Sequence, residues 1–312
     1  RLPIERNAKF SRSHHISPLY YQYPLYTILV QSHLRTLSHL TGMIWSYLPG
    51  IGYDTAVTHK ASLQQRLKKQ PSGLLDIRSD LLHFALINYA VPKSRLAPYI
   101  PTERFEIMEF DIEGKQQAML SVVPFLDADF SFYRLLPWFK FRFPQTNHRV
   151  YVIDKATNEP VVWFFGTTLG SRVVHLARAL WRIPWYRADY QVDCVYDETA
   201  GRYQTYQMQI KSDWCAAQIE IEDTGQPVEL SDADRLILTH PVDGYFYRLD
   251  GRVAGYAVWH DLIPLTSGQP RHLYFSLYDK LGIMTQEEMQ KPTSIFLCPR
   301  IPFEIYMPPK PI

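Results

Sequence analysis

Cysteine is scarce in this chain of 312 residues, and no apolar run is long enough to cross a bilayer as a helix. The three cysteines, Cys194, Cys215 and Cys298, are widely spaced and include no C-x-x-C pair. That spacing excludes a disulfide framework and a thiolate zinc site, and it favours a reducing or redox-neutral compartment. With 46% hydrophobic residues, the chain has enough apolar surface for a globular core.

Motifs of common enzyme classes are also missing. The sequence contains no G-x-x-x-x-G-K-[ST], no H-E-x-x-H and no G-x-S-x-G, so a nucleotide cradle, a zincin and a hydrolase elbow are not predicted. His14 and His15 have no acidic or cysteine neighbour at ligand spacing, and His260-Asp261 is typical of a hydrogen-bonded pair at a strand end. No metal and no cofactor are therefore predicted.

Acidic residues are nearly absent from residues 1–72, which contain only Glu5 and Asp54 against nine Lys and Arg. Residues 73–312 contain 24 basic and 29 acidic residues and are net acidic. Such asymmetry predicts an appended basic segment that binds an anionic surface or other protein subunits, with a merely solvated extension as the alternative. The acidic body argues against nucleic-acid binding.

Residues 36–53 contain no charged side chain, and apolar residues recur there at helical spacing before Pro49-Gly50. This pattern predicts an amphipathic helix over residues 34–48. Its apolar face is expected to pack on the chain's own domain, on a partner protein or on a membrane surface, where tryptophan and tyrosine suit the interface. The candidate contact residues are Leu37, Leu40, Ile44, Trp45, Tyr47 and Leu48.

The first 45 residues also have the composition of a targeting region. They are rich in Arg, Ser and His, and Glu5 is their only acid. Organellar targeting segments share this composition. We therefore expect a mitochondrial location, with the cytoplasm as the alternative.

A linker is predicted at LKKQPSGLLD, residues 67–76, where two lysines precede Pro71-Ser72-Gly73. It divides a helical or irregular extension, residues 1–72, from a folded domain, residues 73–312. After the linker, eight short runs rich in β-branched and aromatic residues predict successive strands. We expect an α+β fold built on a large antiparallel, barrel-like sheet around a central cavity, with a few helices.

Local signals place the helices and one turn. Gly170-Ser171 is a predicted N-cap and Pro184 a predicted helix stop. Further helices are predicted over residues 232–238 and 278–290, and Asp250-Gly251 predicts a type I′ hairpin turn. The apolar side of the helix before Pro184 is predicted to comprise Val174, Leu176, Ala177, Leu180 and Trp181.

One predicted strand, in FPQTNHRVYV, supplies polar candidates for a binding site. Asn147, Arg149 and Tyr151 alternate along one face of it. A buried arginine there needs an anionic ligand or a structural acid, such as Glu220 or Glu222, because an unpaired buried charge is costly. The sequence leaves both partners open.

The next strand and the elbow that follows it supply aromatic candidates. Trp163, Phe165 and Thr167 alternate along PVVWFFGTT, where they wall an apolar pocket or form ordinary core. In ALWRIPWYRAD, residues 179–189, Trp185 and Tyr186 come directly after the helix-ending proline. A helix that ends at a proline is typical of an elbow that presents a reactive group, yet the two positions after this proline are aromatic.

Several stretches follow one another in order over three quarters of the chain: LINYAVPKSRLAPYIP, AMLSVVPF, FPQTNHRVYV, VWFFGTTLGSRVVHLARALWRIPWYRA, LTHPVDGYFYRLDGRVAGYAVWHDLIPL and IFLCPRIPFEIYM. By these stretches, residues from about 76 to 308 resemble the YqjF-like family of uncharacterised proteins, which belongs to the acetoacetate decarboxylase-like superfamily. The resemblance implies one α+β domain in which a closed or nearly closed antiparallel barrel surrounds a cavity.

The resemblance also implies where the superfamily's chemistry would lie. In true decarboxylases of the superfamily, the segment corresponding to RIPWYRA carries a lysine pair after its proline, and one lysine forms a Schiff base with the substrate ketone. Here Trp185 and Tyr186 occupy these positions, and neither forms an imine. Gln145 stands where the family has an acid, which removes an acid/base group. No catalytic residue is therefore predicted.

We expect a non-catalytic accessory or scaffold subunit of a larger, membrane-associated mitochondrial assembly, such as a respiratory complex or ATP synthase, attached through the basic extension. The alternative is an enzyme or carrier that binds a small hydrophobic carboxylic acid in the barrel cavity. The alternative requires a roomy apolar cavity and an arginine without a structural acid. Its candidate cavity residues are Asn147, Arg149, Tyr151, Trp163, Phe165, Trp185 and Tyr186.

Overall fold

A computed structural model describes residues 68–230, 232–240 and 243–312. Over these residues the chain forms one fourteen-stranded sheet with five short α-helices and one 3-10 helix. The predicted α+β fold with a large barrel-like sheet is confirmed. The amphipathic helix predicted over residues 34–48, with its contact residues, lies outside the described residues, and the domain boundary after residue 72 stays a prediction.

The strands are long at the start and end of the described domain and shorter between them. They are β1 Ile77–Val91, β2 Phe105–Ile107, β3 Glu109–Ile112, β4 Lys115–Ser131, β5 Phe141–Asp154, β6 Glu159–Leu169, β7 Trp185–Arg187, β8 Asp189–Asp197, β9 Arg202–Lys211, β10 Ala217–Pro227, β11 Asp243–Tyr247, β12 Val253–Trp259, β13 Thr266–Phe275 and β14 Ser294–Pro311.

The helices of the described residues are short, and none is long and apolar enough to cross a bilayer. They are α1 Lys93–Leu96, a 3-10 helix Ala97–Tyr99, α2 Val173–Trp181, α3 Asp232–Thr239, α4 Ser276–Lys280 and α5 Gln286–Met289.

Seven strands close into a ring in the order β1-β4-β5-β6-β11-β12-β14, because β14 pairs back onto β1. A second layer of the same sheet extends from the opposite edge of β14. It comprises β13, β10, β9 and β8, in that order. All pairings within these two layers are antiparallel except that between β6 and β11, and β7 adds to β6 in parallel. The sheet is therefore mixed at β6, because the chain reaches β7 and β11 by helical crossovers rather than by hairpins.

Two apolar clusters fill the two sides of the ring wall. One takes side chains from all seven ring strands and from helices α2 and α3, and it occupies the ring interior. The other lies between the wall and the second layer. The centre expected as a cavity is filled by aromatic side chains that are each at most 2% exposed, among them Phe110, Phe143, Tyr151, Phe246 and Phe296.

Helix α2 lies where the sequence predicts it. The N-cap predicted at Gly170-Ser171 was wrong by one residue, because the N-cap is Arg172, which makes no side-chain cap hydrogen bond. The Ser171 hydroxyl accepts a hydrogen bond from the Val173 N–H at 3.2 Å. Its buried face is narrower than predicted, because Val174 and Ala177 are buried whereas Leu176 and Leu180 are each 59% exposed. The helix thus contacts the ring through small residues and leaves two leucines outside.

Two local predictions were wrong in detail. The helix predicted over residues 278–290 is divided into α4 and α5, because Gly282 adopts a φ of 66° and Thr285 starts a new capping box. The predicted type I′ turn at Asp250-Gly251 has a positive φ at Gly251 alone. It is a longer loop, in which the Gly251 N–H donates to the Arg248 carbonyl.

Candidate functional site

The elbow between α2 and β7 is held by backbone hydrogen bonds. Arg182, directly after α2, adopts a left-handed conformation with a φ of 54°, and its N–H donates to the Arg178 carbonyl. The Pro184 carbonyl then accepts from the Thr167 N–H at 3.0 Å, so that Trp185 pairs in parallel with Thr167. Trp185 therefore lies against the C-terminal part of β6.

Trp185 and Tyr186 leave the elbow in opposite directions. Trp185 is 6% exposed and packs in the ring interior. Tyr186 is half-buried and stacks on Trp214, with ring centroids 4.4 Å apart. The Arg178 guanidinium donates to the Trp185 carbonyl at 3.0 Å and lies over the Tyr186 ring, so one cation orients both residues.

Lysine side chains in the described residues all lie at the surface. Lys155 and Lys211, the nearest in sequence to the elbow, are exposed, and no described lysine is buried. A Schiff-base nucleophile needs a desolvated amine facing the substrate. The ring interior, as described, contains no such amine.

Three polar residues form a network on the inner face of β5 and β6. The Asn147 side-chain carbonyl accepts from the Thr167 hydroxyl at 2.8 Å and from the Gln145 amide at 3.0 Å. Gln145 is thus a neutral hydrogen-bond donor to Asn147. This network orients Asn147 beside the strand that carries Trp185.

Arg149 lies farther along the same face and forms no ion pair with an acid of the described residues. One of its terminal nitrogens donates to the Tyr151 hydroxyl and the Leu238 carbonyl, each at 3.3 Å, and its Nε is buried without a hydrogen-bond partner. Of the two partners that the sequence leaves open, Glu220 and Glu222 do not pair with Arg149, because they lie on β10, where they bond Gln207 and Arg271. The guanidinium keeps unused donors beside the ring interior.

The polar strip continues across the seam of the ring. The Ser121 hydroxyl donates to the Asn88 side-chain carbonyl at 2.5 Å, and the Asn88 amide donates to the Ser294 hydroxyl at 3.0 Å. Tyr151 lies 3.3 Å from Ser121 and donates to the Leu238 carbonyl at 2.8 Å. Sequence reasoning missed Asn88 and Ser121, although a lone polar residue within a predicted apolar strand was the available signal.

The structure divides the predicted cavity residues between the two sides of the ring wall. Asn147, Arg149, Tyr151 and Trp185 face the ring interior, whereas Trp163, Phe165 and Tyr186 face away from it. The alternation of side chains along β6 breaks at Gly166, which follows Phe165 and has a φ of 157°. At the same point the register between β5 and β6 shifts, between His148 and Arg149 of β5. Such a bulge turns Thr167 into the ring interior, away from its predicted neighbours.

Trp163 and Phe165 do border a pocket, but a shallow one on the other side of the wall. Its volume is about 280 Å³, and no charged side chain lines it. The lining residues are Pro98, Tyr99, Trp163, Phe164, Phe165 and Tyr247.

Burial shifts the pKa values of several titratable groups, among them Asp127 and His148. Asp127, 2% exposed, accepts from the Ser79 hydroxyl at 2.7 Å, and burial raises its pKa to about 7. On the other side of the wall, burial lowers the pKa of His148 to about 3, and this neutral ring bonds the Tyr278 hydroxyl at 2.9 Å. Among the described residues, no three His, Cys, Asp or Glu side chains gather as a metal site.

Solved structures share this architecture. The acetoacetate decarboxylase of Legionella pneumophila is 15% identical, with a TM-score of 0.50 over 79% of this chain and 90% of that chain. The enduracididine biosynthesis enzyme MppR, complexed with pyruvate, is 11% identical, with a TM-score of 0.53 over 78% of this chain and 91% of that chain. The described domain therefore has the acetoacetate decarboxylase-like fold.

Within that fold class, the chain belongs to the DUF2071 family, described as an uncharacterized conserved protein, whose model matches residues 78–302. The predicted YqjF-like family is thereby confirmed. No curated protein is significantly similar to the chain in sequence.

The raised pKa of Asp127 predicts a pH-dependent stability. An unfolded aspartate has a pKa of about 3.9, so between about pH 4 and 7 the folded state holds a proton that the unfolded state has lost. Stability should therefore fall as the pH rises through this range. Asp127→Asn removes the titration, and its free energy of unfolding should decline less than that of the wild type between about pH 5 and 8.

Urea unfolding at several pH values measures this difference. The matched control is Asp129→Asn on the same strand, because Asp129 is exposed and pairs with Lys140 at the surface. Equal pH slopes for the wild type and Asp127→Asn would contradict the assignment.

Proposed function

We propose that this protein is a non-catalytic accessory or scaffold subunit of a larger assembly, built on an acetoacetate decarboxylase-like domain. The observation that carries the proposal is the buried indole of Trp185, which packs in the ring interior at the superfamily's lysine position. An indole offers no lone pair for attack on a ketone. The same ring therefore serves as a packed frame rather than as a reaction chamber.

The packing around Trp185 supports this assignment. Truncating a buried aromatic side chain commonly costs about 3–5 kcal/mol, so such a residue stabilises the domain that contains it. Gln145 at the family's acid position supports the same conclusion, because a neutral amide does not exchange protons near neutral pH. Relative to the lysine and the acid that the resemblance implies, Trp185 retains packing without a nucleophile, and Gln145 retains hydrogen bonding without an acid/base group.

The basic extension is proposed as the attachment to the assembly. Residues 1–72 carry nine basic and two acidic residues, whereas residues 73–312 are net acidic. A basic segment is suited to an acidic protein surface or anionic membrane. We propose a mitochondrial assembly close to a membrane, for example a respiratory complex or ATP synthase.

Native affinity purification with mass spectrometry tests the proposed attachment. The full chain should retain a reproducible set of mitochondrial proteins that a chain beginning at Lys68 loses. Lys68 is the preferred start because the Lys69 ammonium contacts Glu304 at 2.6 Å and so belongs to the described domain. An identical set from both chains, or no retained protein with the full chain, would refute the tethering role.

A second candidate function, recognition of a small carboxylic acid, is favoured by Arg149 alone, because the packed ring interior lacks the roomy cavity that this function also requires. Its Nε lacks a hydrogen-bond partner, and among the described residues no acid forms an ion pair with it. A carboxylate accepts two parallel hydrogen bonds from a guanidinium, which would satisfy these donors. MppR is a relative in fold that binds pyruvate, so pyruvate is the natural probe.

Thermal unfolding in pyruvate tests the second candidate. A ligand at one hundred times its Kd stabilises the folded state by about 2.7 kcal/mol, so the wild-type Tm should rise with pyruvate concentration. Arg149→Gln should abolish the rise. The control Arg271→Gln, at an exposed pair with Glu222, should keep it. A Tm that rises equally in wild type and Arg149→Gln would dismiss the carboxylate site.

A further inference from the structure

The connection between β4 and β5 presents an unusual run of exposed apolar side chains. All nine residues from 134 to 142 are exposed, and Trp138 and Phe139 are 72% and 55% exposed. Leu135, Leu136 and Phe141 are also exposed. Contiguous apolar surface of this kind marks a contact with a partner or a membrane rather than ordinary solvated loop. We call residues 132–142 the apolar loop.

The apolar loop is folded rather than extended. The Leu135 and Leu136 N–H groups both donate to the Phe132 carbonyl, and the Phe139 N–H donates to the Leu136 carbonyl. At its base, Phe130 and Phe143 pack together with ring centroids 5.1 Å apart. The turns therefore hold the aromatic side chains outward without burying them on the domain.

Positive charge accompanies the exposed aromatics. Arg134 and Arg142 are exposed, and neither forms an ion pair with another described residue. Between Asp129 and Asp154 the sequence contains no acidic residue at all. A net acidic domain thus carries a local patch that is both apolar and basic.

A cavity of about 460 Å³ lies beside the apolar loop. Lys69, Arg78 and Lys140 line it, and the first two share the single carboxylate of Glu304. Asp80, Asp129 and Glu304 also line the cavity, so its basic and acidic side chains balance. The excess positive charge beside the exposed aromatics therefore comes from Arg134 and Arg142.

We propose that the apolar loop is a membrane-contact element that inserts Trp138 and Phe139 into the surface of an anionic phospholipid bilayer. Tryptophan prefers the membrane–water interface, and arginines at the same level bind anionic head groups. The charge of the patch selects this partner, because an apolar protein surface alone would not need Arg134 and Arg142. The inference is independent of the proposed function.

Vesicle co-sedimentation of the full chain tests the proposal. Binding to vesicles of phosphatidylcholine with phosphatidylserine should exceed binding to phosphatidylcholine alone. The double variant Trp138→Ala, Phe139→Ala should bind at least about tenfold more weakly, because two large apolar side chains no longer leave water. Arg134→Gln and Arg142→Gln should each weaken binding about fivefold on the anionic vesicles only.

The matched control is the double variant Leu176→Ala, Leu180→Ala, which removes two exposed apolar side chains from α2 and should bind as the wild type does. Circular dichroism checks that each variant is folded. Unchanged binding of the loop variants would overturn the proposal. It would mean that other residues bind the vesicles or that the loop contacts only protein. Equal loss in the α2 control would overturn it as well.

Discussion

The antiparallel pairing of β1 with β14 is the constraint on which the other features depend. It joins strands about 200 residues apart, in a register that runs from Ile77 opposite Ile305 to Asn88 opposite Ser294. Because each strand also pairs on its other edge, the sheet closes into a ring and leaves no free edge at the seam. Closure gives β5 and β6 an interior face, and that face carries Asn147, Arg149 and Thr167.

Inside the ring, the side chains interact by packing and by neutral hydrogen bonds. Trp185 packs in the ring interior, and the Gln145 amide donates a hydrogen bond to Asn147. Asp127, the buried carboxyl group of β4, holds a proton up to about pH 7 and so adds little charge. Arg149 is the exception, since its buried Nε remains unsatisfied.

The sequence was sufficient where the signal is local. The alternation of Asn147, Arg149 and Tyr151 correctly placed one inner strand, and Pro184 correctly marked the end of α2. Prediction from the sequence failed where the structure of a residue depends on an element that is distant in the chain. The bulge at Gly166 separates Thr167 from its predicted neighbours, and the five prolines of β14 disguise the strand that closes the ring. Whether Glu220 or Glu222 could pair with Arg149 depended on the layer of the sheet in which β10 lies, and no local sequence pattern encodes that layer.

Over the described residues, the ring interior contains no amine able to attack a ketone. Borohydride trapping with acetoacetate and with pyruvate, followed by intact-mass measurement and peptide mapping, tests it most directly, with a true acetoacetate decarboxylase as the positive control. No saturable adduct is expected on this protein under conditions that label the decarboxylase stoichiometrically. A stoichiometric adduct at one lysine, lost when the chain is unfolded beforehand, would contradict it.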